Sequence, residues 1–139
     1  MTVIDSSALM AILLAAVLGE TLLANGLKAL FDRPRPDIVP HLVHATGNSF
    51  PSGHATSAAA VYLTLAALIA SGVKSRAARA YVFSFAIVVA LIVGASRVYL
   101  GVHYPSDVLA GLSLGAAWAA IIWIVAYYLE RTKGFGARK

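Results

Sequence analysis

Three short segments carry most of the side chains in this chain that could do chemistry. They are KALFDRPRP at 28–36, FPSGHATS at 50–57 and SRVYLGVHYPSD at 96–107. Together they supply cations, two histidines, a carboxylate and a glycine at a predicted helix start. Cations and helix amides stabilise phosphate groups, and histidine can act as a nucleophile or as an acid. The three segments therefore predict phosphate binding and transfer through a histidine.

The second segment predicts an anion site at a helix start. Pro51 disfavours a helical residue before it, Ser52 suits the N-cap, and Gly53 lets a ligand approach the backbone. The free amides at 53–55 are then expected to face one anion. The three residues Ser-Gly-His, taken by themselves, would also fit an ordinary capped helix that binds no anion. His54 favours the functional interpretation, because the positive end of a helix disfavours a histidine cation unless something compensates.

The third segment predicts a second helix start, with Pro105 at the first helical position, Tyr104 as the cap and Asp107 in the first turn. His103 lies just outside, at an edge that we expect to be exposed, and Asp107 can reach back to it. A carboxylate that accepts one ring N–H would hold the tautomer and free the other ring nitrogen to attack. Capping of the helix by Asp107 is the plainer role, and the two roles are compatible.

Three cations are placed to bind the same anion. Pro34 and Pro36 end the first apolar run and restrain the backbone of Arg35. Lys28 lies about a turn before that exit, and Arg97 lies near the end of the third run. A lysine at a membrane edge often extends to the headgroups, which is the alternative for Lys28. With Arg35 and Arg97 it would neutralise a phosphate dianion and its transition state.

The rest of the chain has the composition of a membrane scaffold. Of 139 residues, 60% are hydrophobic and 12% are charged, whereas soluble domains carry roughly 25% charged residues. Four apolar runs, at about 8–30, 55–72, 80–95 and 108–129, suit a bilayer core of ~30 Å, the third only if it extends to Tyr99. We therefore predict an all-α, integral-membrane helical bundle with four transmembrane helices and a single domain over 1–139.

Charge and cysteine content narrow the function classes. The net charge is +5, but the basic residues lie between apolar runs and not on one solvated face, which argues against nucleic acid as a partner. The chain has no cysteine, so disulfides, thiolate nucleophiles and cysteine-based zinc sites are excluded.

The positions of the cations predict an orientation. Seven of the eleven fall on one side of the four runs: Lys74, Arg76, Arg79, Arg131, Lys133, Arg138 and Lys139. That side should be cytoplasmic, with both termini, and up-down threading would gather the three segments on the extracytoplasmic face. Of the four cations expected there, only Arg33 has no predicted role.

These motifs, in this order and spacing, resemble the complete signature of the type 2 phosphatidic acid phosphatase superfamily. The resemblance rests on Lys28, Arg35-Pro36, Pro51-Ser52-Gly53-His54, Ser96-Arg97, His103 and Asp107. It implies that His103 is the nucleophile and forms a phosphohistidine, that Asp107 is its partner, and that His54 is the general acid. It also implies no metal or other cofactor, and five phosphate-binding residues: Lys28, Arg35, Ser52, Gly53 and Arg97.

The resemblance implies a lipid phosphomonoester or diphosphate as substrate, of the phosphatidic acid or undecaprenyl diphosphate type, and a bacterial inner membrane. Two alternatives stay open: phosphotransfer to an alcohol, and a vanadate-dependent haloperoxidase, which the hydropathy disfavours because those relatives are soluble. Membrane members usually have two further spans upstream of the span that carries the motif lysine. A fragment, a natural minimal form and a homo-oligomer that recruits missing helices are therefore all open.

The remaining polar or small residues give weaker signals. Glu20 is costly inside a membrane span and is expected to meet a partner helix or water. His41 and His44 precede Pro51 and are interpreted as solvated loop residues, with a lid or headgroup role left open. Gly111 and Gly115 predict close helix packing, either within the bundle or between copies.

Overall fold

The computed structural model describes residues 6–37, 42–43 and 45–136, and this part of the chain forms four α-helices. They are α1 (Ser6–Phe31), α2 (Gly53–Gly72), α3 (Arg76–Tyr99) and α4 (Pro105–Gly136). Each helix is long and apolar enough to cross a membrane. The predicted all-α bundle with four membrane spans is therefore confirmed, and the single domain over 1–139 stays a prediction.

Local signals set the helix ends. The Ser75 side chain caps α3 and accepts a hydrogen bond from the Ala78 amide at 3.3 Å. α3 continues to Tyr99, which gives the third apolar run the extension that it needs to span a bilayer. α4 begins at Pro105, as predicted, because a residue without an N–H costs no hydrogen bond in the first turn.

Helices α2 and α4 each contact the three other helices, whereas among the described residues α1 and α3 do not contact each other. Helix α2 packs between them. Its buried side chains are small: Ala55, Thr56, Ala58, Ala59, Ala60, Thr64, Ala66 and Ala70. Small side chains let helix backbones approach closely, as in other membrane bundles. Large apolar side chains such as Leu18 and Ile92 are exposed on the outside of the bundle, where lipid would cover them.

Helices α2 and α4 pack with their backbones close together, and two glycines permit it. A Cβ on Gly111 would collide with the Ser52 carbonyl oxygen, and one on Gly115 would collide with the Thr56 carbonyl oxygen. Gly111 and Gly115 thus pack within the bundle, which is one of the two alternatives that the sequence left open.

Polar contacts hold α1 against its neighbours. Glu20 is 2% exposed, and the Ser57 hydroxyl of α2 donates to its Oε1 at 2.6 Å. Glu20 therefore contacts a partner helix, which is one of the two outcomes that the sequence left open. The Trp118 indole of α4 donates to the Ala15 carbonyl of α1 at 3.2 Å. The two contacts fix α1 beside α2 and α4, the helices that begin with the second and third motifs.

Main-chain hydrogen bonds join the segments at one end of the bundle. The Ser52 amide donates to the Asp107 carbonyl at 3.0 Å, and the Ser49 amide donates to the Arg33 carbonyl at 2.8 Å. The end of α1, the start of α2, the end of α3 and the start of α4 are thus at the same end, as the up-down threading predicts.

Candidate active site

A cavity of about 280 Å³ lies where the three motifs meet. It is lined by Lys28, Arg35, Val43, Ala45, Thr46, His54, Arg97, Val102 and His103. Residues that are far apart in the sequence therefore share one polar cavity. A larger cavity of about 560 Å³ between α2, α3 and α4 is mostly apolar and contains none of the predicted site residues.

The His103 side chain is buried, with 3% of its surface exposed. The expectation of an exposed edge is therefore wrong, because Arg35 and the segment that carries Ser49 pack against the ring. Arg35 Nη1 lies 3.3 Å from His103 Nε2, and Ser49 Oγ lies 3.3 Å from Nδ1. A guanidinium can only donate, so Nε2 is the acceptor and the ring proton is on Nδ1. This tautomer leaves the lone pair on Nε2, on the side of the ring where Arg35 lines the cavity.

The surroundings of His103 keep its ring neutral. Burial is the main cause and the positive charge of Arg35 is the second, and together they lower the pKa of His103 from 6.5 to about 4. A neutral imidazole keeps one unprotonated nitrogen, here Nε2, and such a nitrogen can act as a nucleophile when its hydrogen bond from Arg35 is given up.

Asp107 is fully buried, and both of its carboxylate oxygens accept hydrogen bonds. Arg33 Nη1 donates to Oδ1 at 2.7 Å. The Tyr104 amide donates to Oδ2 at 2.9 Å, which caps α4, and the Ser49 hydroxyl donates to the same oxygen at 2.5 Å. Oδ2 is 3.7 Å from His103 Nδ1, too far for a hydrogen bond. Asp107 and His103 are therefore neighbours, as predicted, but the Ser49 hydroxyl contacts both of them in place of a direct hydrogen bond.

Arg33 and Ser49 are the functional candidates that sequence reasoning missed. The Arg33 guanidinium pairs with Asp107 and lies 4.2 Å from the centre of the Tyr104 ring. The only signal for Arg33 in the sequence is that, of the four cations on the side predicted to be extracytoplasmic, it alone has no predicted role. Ser49 is fully buried yet looks like an ordinary loop serine in the sequence.

Backbone carbonyls fix the direction of Arg35. Its guanidinium donates to the carbonyls of Val102 at 2.9 Å, Thr46 at 2.8 Å and Gly47 at 3.0 Å. A planar fork held in this way is ordered before any ligand arrives, so binding an anion would cost little side-chain entropy. Arg35 therefore presents a fixed positive charge beside the His103 nitrogen that faces the cavity.

The start of α2 forms the other side of the site. Ser52 occupies the N-cap position, as predicted, but its hydroxyl makes no capping bond. Ser52 Oγ and Arg97 Nε are both buried without a hydrogen-bond partner in the described part of the chain. A Cβ built on Gly53 would lie 3.4 Å from Lys28 Nζ, so the ammonium group sits against the helix start. His54, in the first turn, is exposed toward the cavity.

Among the described residues, no group of three or more His, Asp or Glu side chains is arranged to hold a metal ion. The predicted absence of a metal stays a prediction. His41 and His44 lie outside the described residues, so their predicted loop role is not addressed.

Comparison with known proteins points to one family. The family model described as "PAP2 superfamily" matches residues 8–131. Phosphatidylglycerophosphatase B of Bacillus subtilis is 41% identical over 117 residues, which are 84% of this chain and 56% of that protein. Lipid A 1-phosphatase of Rhizobium etli is 36% identical over 126 residues, covering 84% of this chain and 50% of that protein. The chain thus spans about half the length of these relatives.

A solved structure agrees with the sequence relatives. The crystal structure of a transmembrane PAP2-type phosphatidylglycerolphosphate phosphatase from Bacillus subtilis superimposes with a TM-score of 0.73 at 37% identity. The match covers 86% of this chain and 58% of that one. The four-helix arrangement described above is therefore shared with a membrane protein of known structure.

Proposed function

The chain belongs to the PAP2 superfamily, and from that premise we propose that it is an integral-membrane phosphatase acting on a lipid phosphomonoester or diphosphate. The observation that carries the proposal is the cavity that a neutral histidine nitrogen shares with three cations. The names of the two relatives, a phosphatidylglycerophosphatase and a lipid A 1-phosphatase, support a lipid phosphate as the substrate class. Phosphatidic acid and undecaprenyl diphosphate are both retained as substrate types.

The cations and the two unpaired polar atoms are the proposed phosphate-binding groups. Lys28, Arg35 and Arg97 line the cavity, and their charges would offset a phosphate dianion and the charge of its transition state. Buried polar groups are normally hydrogen-bonded, but Ser52 Oγ and Arg97 Nε have no partner in the described part of the chain. We propose that both atoms donate hydrogen bonds to phosphate oxygens. The first amides of α2, beside Gly53, have no acceptor within the helix and are further donors.

In the first proposed step, the Nε2 lone pair of His103 attacks phosphorus. The N–P bond forms while the P–O bond to the lipid breaks, and His54 gives its proton to the leaving oxygen. The proton on Nδ1 stays in place, so the phosphorylated ring carries a positive charge beside Ser49. Arg35 gives up its hydrogen bond to Nε2, and that N–H then donates to the transferring phosphoryl group while the backbone carbonyls hold the guanidinium in place.

In the second step, water completes the cycle. His54, now neutral, takes a proton from a water molecule that attacks phosphorus, and the P–N bond breaks. Inorganic phosphate leaves, and His103 is neutral again. His54 thus acts as an acid in one step and as a base in the next. An alcohol in place of water would give phosphotransfer, which stays an alternative. A vanadate-dependent haloperoxidase is the less favoured alternative, because those relatives are soluble whereas all four helices of this chain are long and apolar enough to cross a membrane.

Phosphate release should persist in EDTA and stop in vanadate. Three cations and helix amides take the place of a metal in this proposal, and vanadate resembles the pentacoordinate transition state. The measurement is phosphate release in detergent from a panel that includes phosphatidic acid, phosphatidylglycerophosphate and undecaprenyl diphosphate. Loss of activity in the chelator, restored by magnesium or zinc, would contradict the proposal and direct attention to His41 and His44.

We also propose that the site faces away from the cytoplasm of a bacterial inner membrane, with both termini inside. The seven-to-four division of the cations supports this orientation. The structure adds a reason for the minority cation that had none, because Arg33 is paired with the buried Asp107 carboxylate. Each of the four cations on the site side, Lys28, Arg33, Arg35 and Arg97, then has a proposed local role. Such roles explain why they lie on that side although Lys and Arg usually gather on the cytoplasmic side.

Cysteine labelling in intact cells tests this orientation. Thr46→Cys lies on the site side of the bundle, and Gly72→Cys lies at the opposite end, where a Cβ would meet no atom within 4 Å. We expect a membrane-impermeant maleimide to label Thr46→Cys in intact cells and Gly72→Cys only after lysis. The opposite pattern would make the substrate a lipid of the cytoplasmic leaflet.

A further inference from the structure

Ser49 occupies the gap between the nucleophile and its carboxylate. His103 Nδ1 and Asp107 Oδ2 are 3.7 Å apart, and the Ser49 oxygen lies 3.3 Å from the first and 2.5 Å from the second. All three side chains are buried, Ser49 and Asp107 completely. No other side chain in the described part of the chain is within hydrogen-bonding distance of both groups.

The direction of the two hydrogen bonds follows from what each group can donate. An ionised carboxylate only accepts, so the single Ser49 proton goes to Asp107 Oδ2. The Ser49 oxygen is then left with lone pairs, and it accepts the proton that His103 carries on Nδ1. Arg35, on the other side of the ring, requires the same tautomer because it can only donate to Nε2. Arg35 and Ser49, which belong to different segments, thus both require the ring proton on Nδ1.

The backbone holds Ser49 in this position. Its amide donates to the Arg33 carbonyl at 2.8 Å, and Arg33 in turn donates to the other oxygen of Asp107 at 2.7 Å. The serine oxygen and the carboxylate are therefore fixed to the same short segment. This arrangement leaves little freedom for Asp107 to approach His103 directly.

We propose that Ser49 is a positioning residue through which Asp107 acts on His103. This inference rests on the proposed function and deepens it. The hydroxyl holds the Nδ1–H tautomer, which keeps the Nε2 lone pair directed into the cavity. When Nε2 attacks phosphorus, positive charge develops at Nδ1, and the Ser49 oxygen, polarised by the carboxylate, stabilises it. No proton leaves Nδ1 in the step, so the bonds made and broken are those given above.

The test is a double-mutant cycle with Ser49→Ala and Asp107→Asn. We expect Ser49→Ala to lower kcat for phosphate release by about 10- to 100-fold. This loss is smaller than that of Asp107→Asn, because the carboxylate charge stays 3.7 Å from the ring, and KM should be nearly unchanged, because Ser49 does not line the cavity. If Asp107 acts through Ser49, the double variant should lose about as much activity as Asp107→Asn alone. Losses that multiply would mean that the two residues act independently and would overturn the inference.

Ser106→Ala is the matched control. Its hydroxyl also belongs to this group of contacts, since it accepts from Arg33 Nη1 at 2.9 Å, but it is exposed and does not contact His103. We expect Ser106→Ala to keep kcat within a factor of about 3, in line with the small effects of most surface substitutions. Full wild-type kcat in folded Ser49→Ala would refute the positioning role while leaving the phosphatase proposal in place.

The histidine tautomer gives a readout that needs no activity and no variant at Ser49. In protein labelled with ¹⁵N-histidine, the His103 signals are identified by their absence in His103→Gln. We expect a neutral ring protonated at Nδ1 at neutral pH. A ring protonated at Nε2 would overturn the inference even if Ser49→Ala failed to fold. Absence of phosphate release from every substrate, with the Nδ1–H tautomer present, would count against the proposed function alone.

Discussion

Replacing His103 by alanine should lower kcat by about 10⁴-fold or more, since loss of a covalent nucleophile removes the reaction path itself. The Nε2 atom is the nitrogen directed into the cavity, and no other side chain that lines the cavity offers a neutral nitrogen held by an arginine in this way. Phosphate release from the best lipid substrate measures the loss. A variant that keeps a tenth or more of the wild-type rate would rule out the phosphohistidine path.

The burial of His103 requires a second variant as a control for folding. Because only 3% of the side chain is exposed, alanine would leave a hole and some loss of stability. His103→Gln fills more of the space and still cannot act as a nucleophile. We expect both variants to be inactive, and His103→Gln to unfold in detergent near the wild-type temperature. Labelled phosphate should remain on wild-type protein in an acid-labile form during turnover and be absent from both variants.

Changing Asp107 to asparagine should lower kcat by about 10³- to 10⁴-fold, the size of effect known for an aspartate that orients a catalytic histidine. The carboxylate accepts from Arg33 on one oxygen and from Tyr104 and Ser49 on the other. An asparagine has only one acceptor oxygen, so its amide nitrogen must face a donor on one side. The ring would lose its fixed tautomer and the negative charge that stabilises the phosphorylated intermediate.

The control for this prediction is Arg33→Gln. It removes the ion pair of Asp107 but keeps the carboxylate, and Arg33 is partly open to solvent, with 37% of its side chain exposed. We expect a smaller loss, about 10-fold, because water can take the place of the guanidinium. Rates are compared with unfolding temperatures, since Asp107 also caps α4. Equal losses in Asp107→Asn and Arg33→Gln would indicate that the ion pair, and not the carboxylate, matters.

The helices and their common end were predictable because they depend on patterns that extend over many residues. Four apolar runs of membrane length determine the fold class, and up-down threading then forces Lys28, His54, Arg97 and His103 to the same end. The start of α4 was also predictable, because Pro105 and Asp107 act on their own helix. Local chemistry and long apolar runs are both visible in a single sequence.

Contacts between segments were not predictable in the same way. The spacing of His103 and Asp107 fits a direct hydrogen bond, and nothing in that segment indicates that a serine from another segment lies between them. The sequence likewise predicts no role for Arg33, because its partner Asp107 is 74 residues away. Two buried groups bond directly or through a third group depending on differences in distance of less than about 1 Å. Composition and sequence spacing do not encode such differences.

The glycine-mediated packing of α2 against α4 has a consequence for how the protein would tolerate substitutions. The Ser52 amide is bonded to the Asp107 carbonyl, so the proposed phosphate-binding turn and the segment of the proposed nucleophile are joined by the same pair of helices that Gly111 and Gly115 bring together. The charges are thus assembled by folding and not by substrate. A substitution at Gly115, which packs against Thr56 and does not line the cavity, would then be expected to lower activity, because it would displace α4 and with it Asp107.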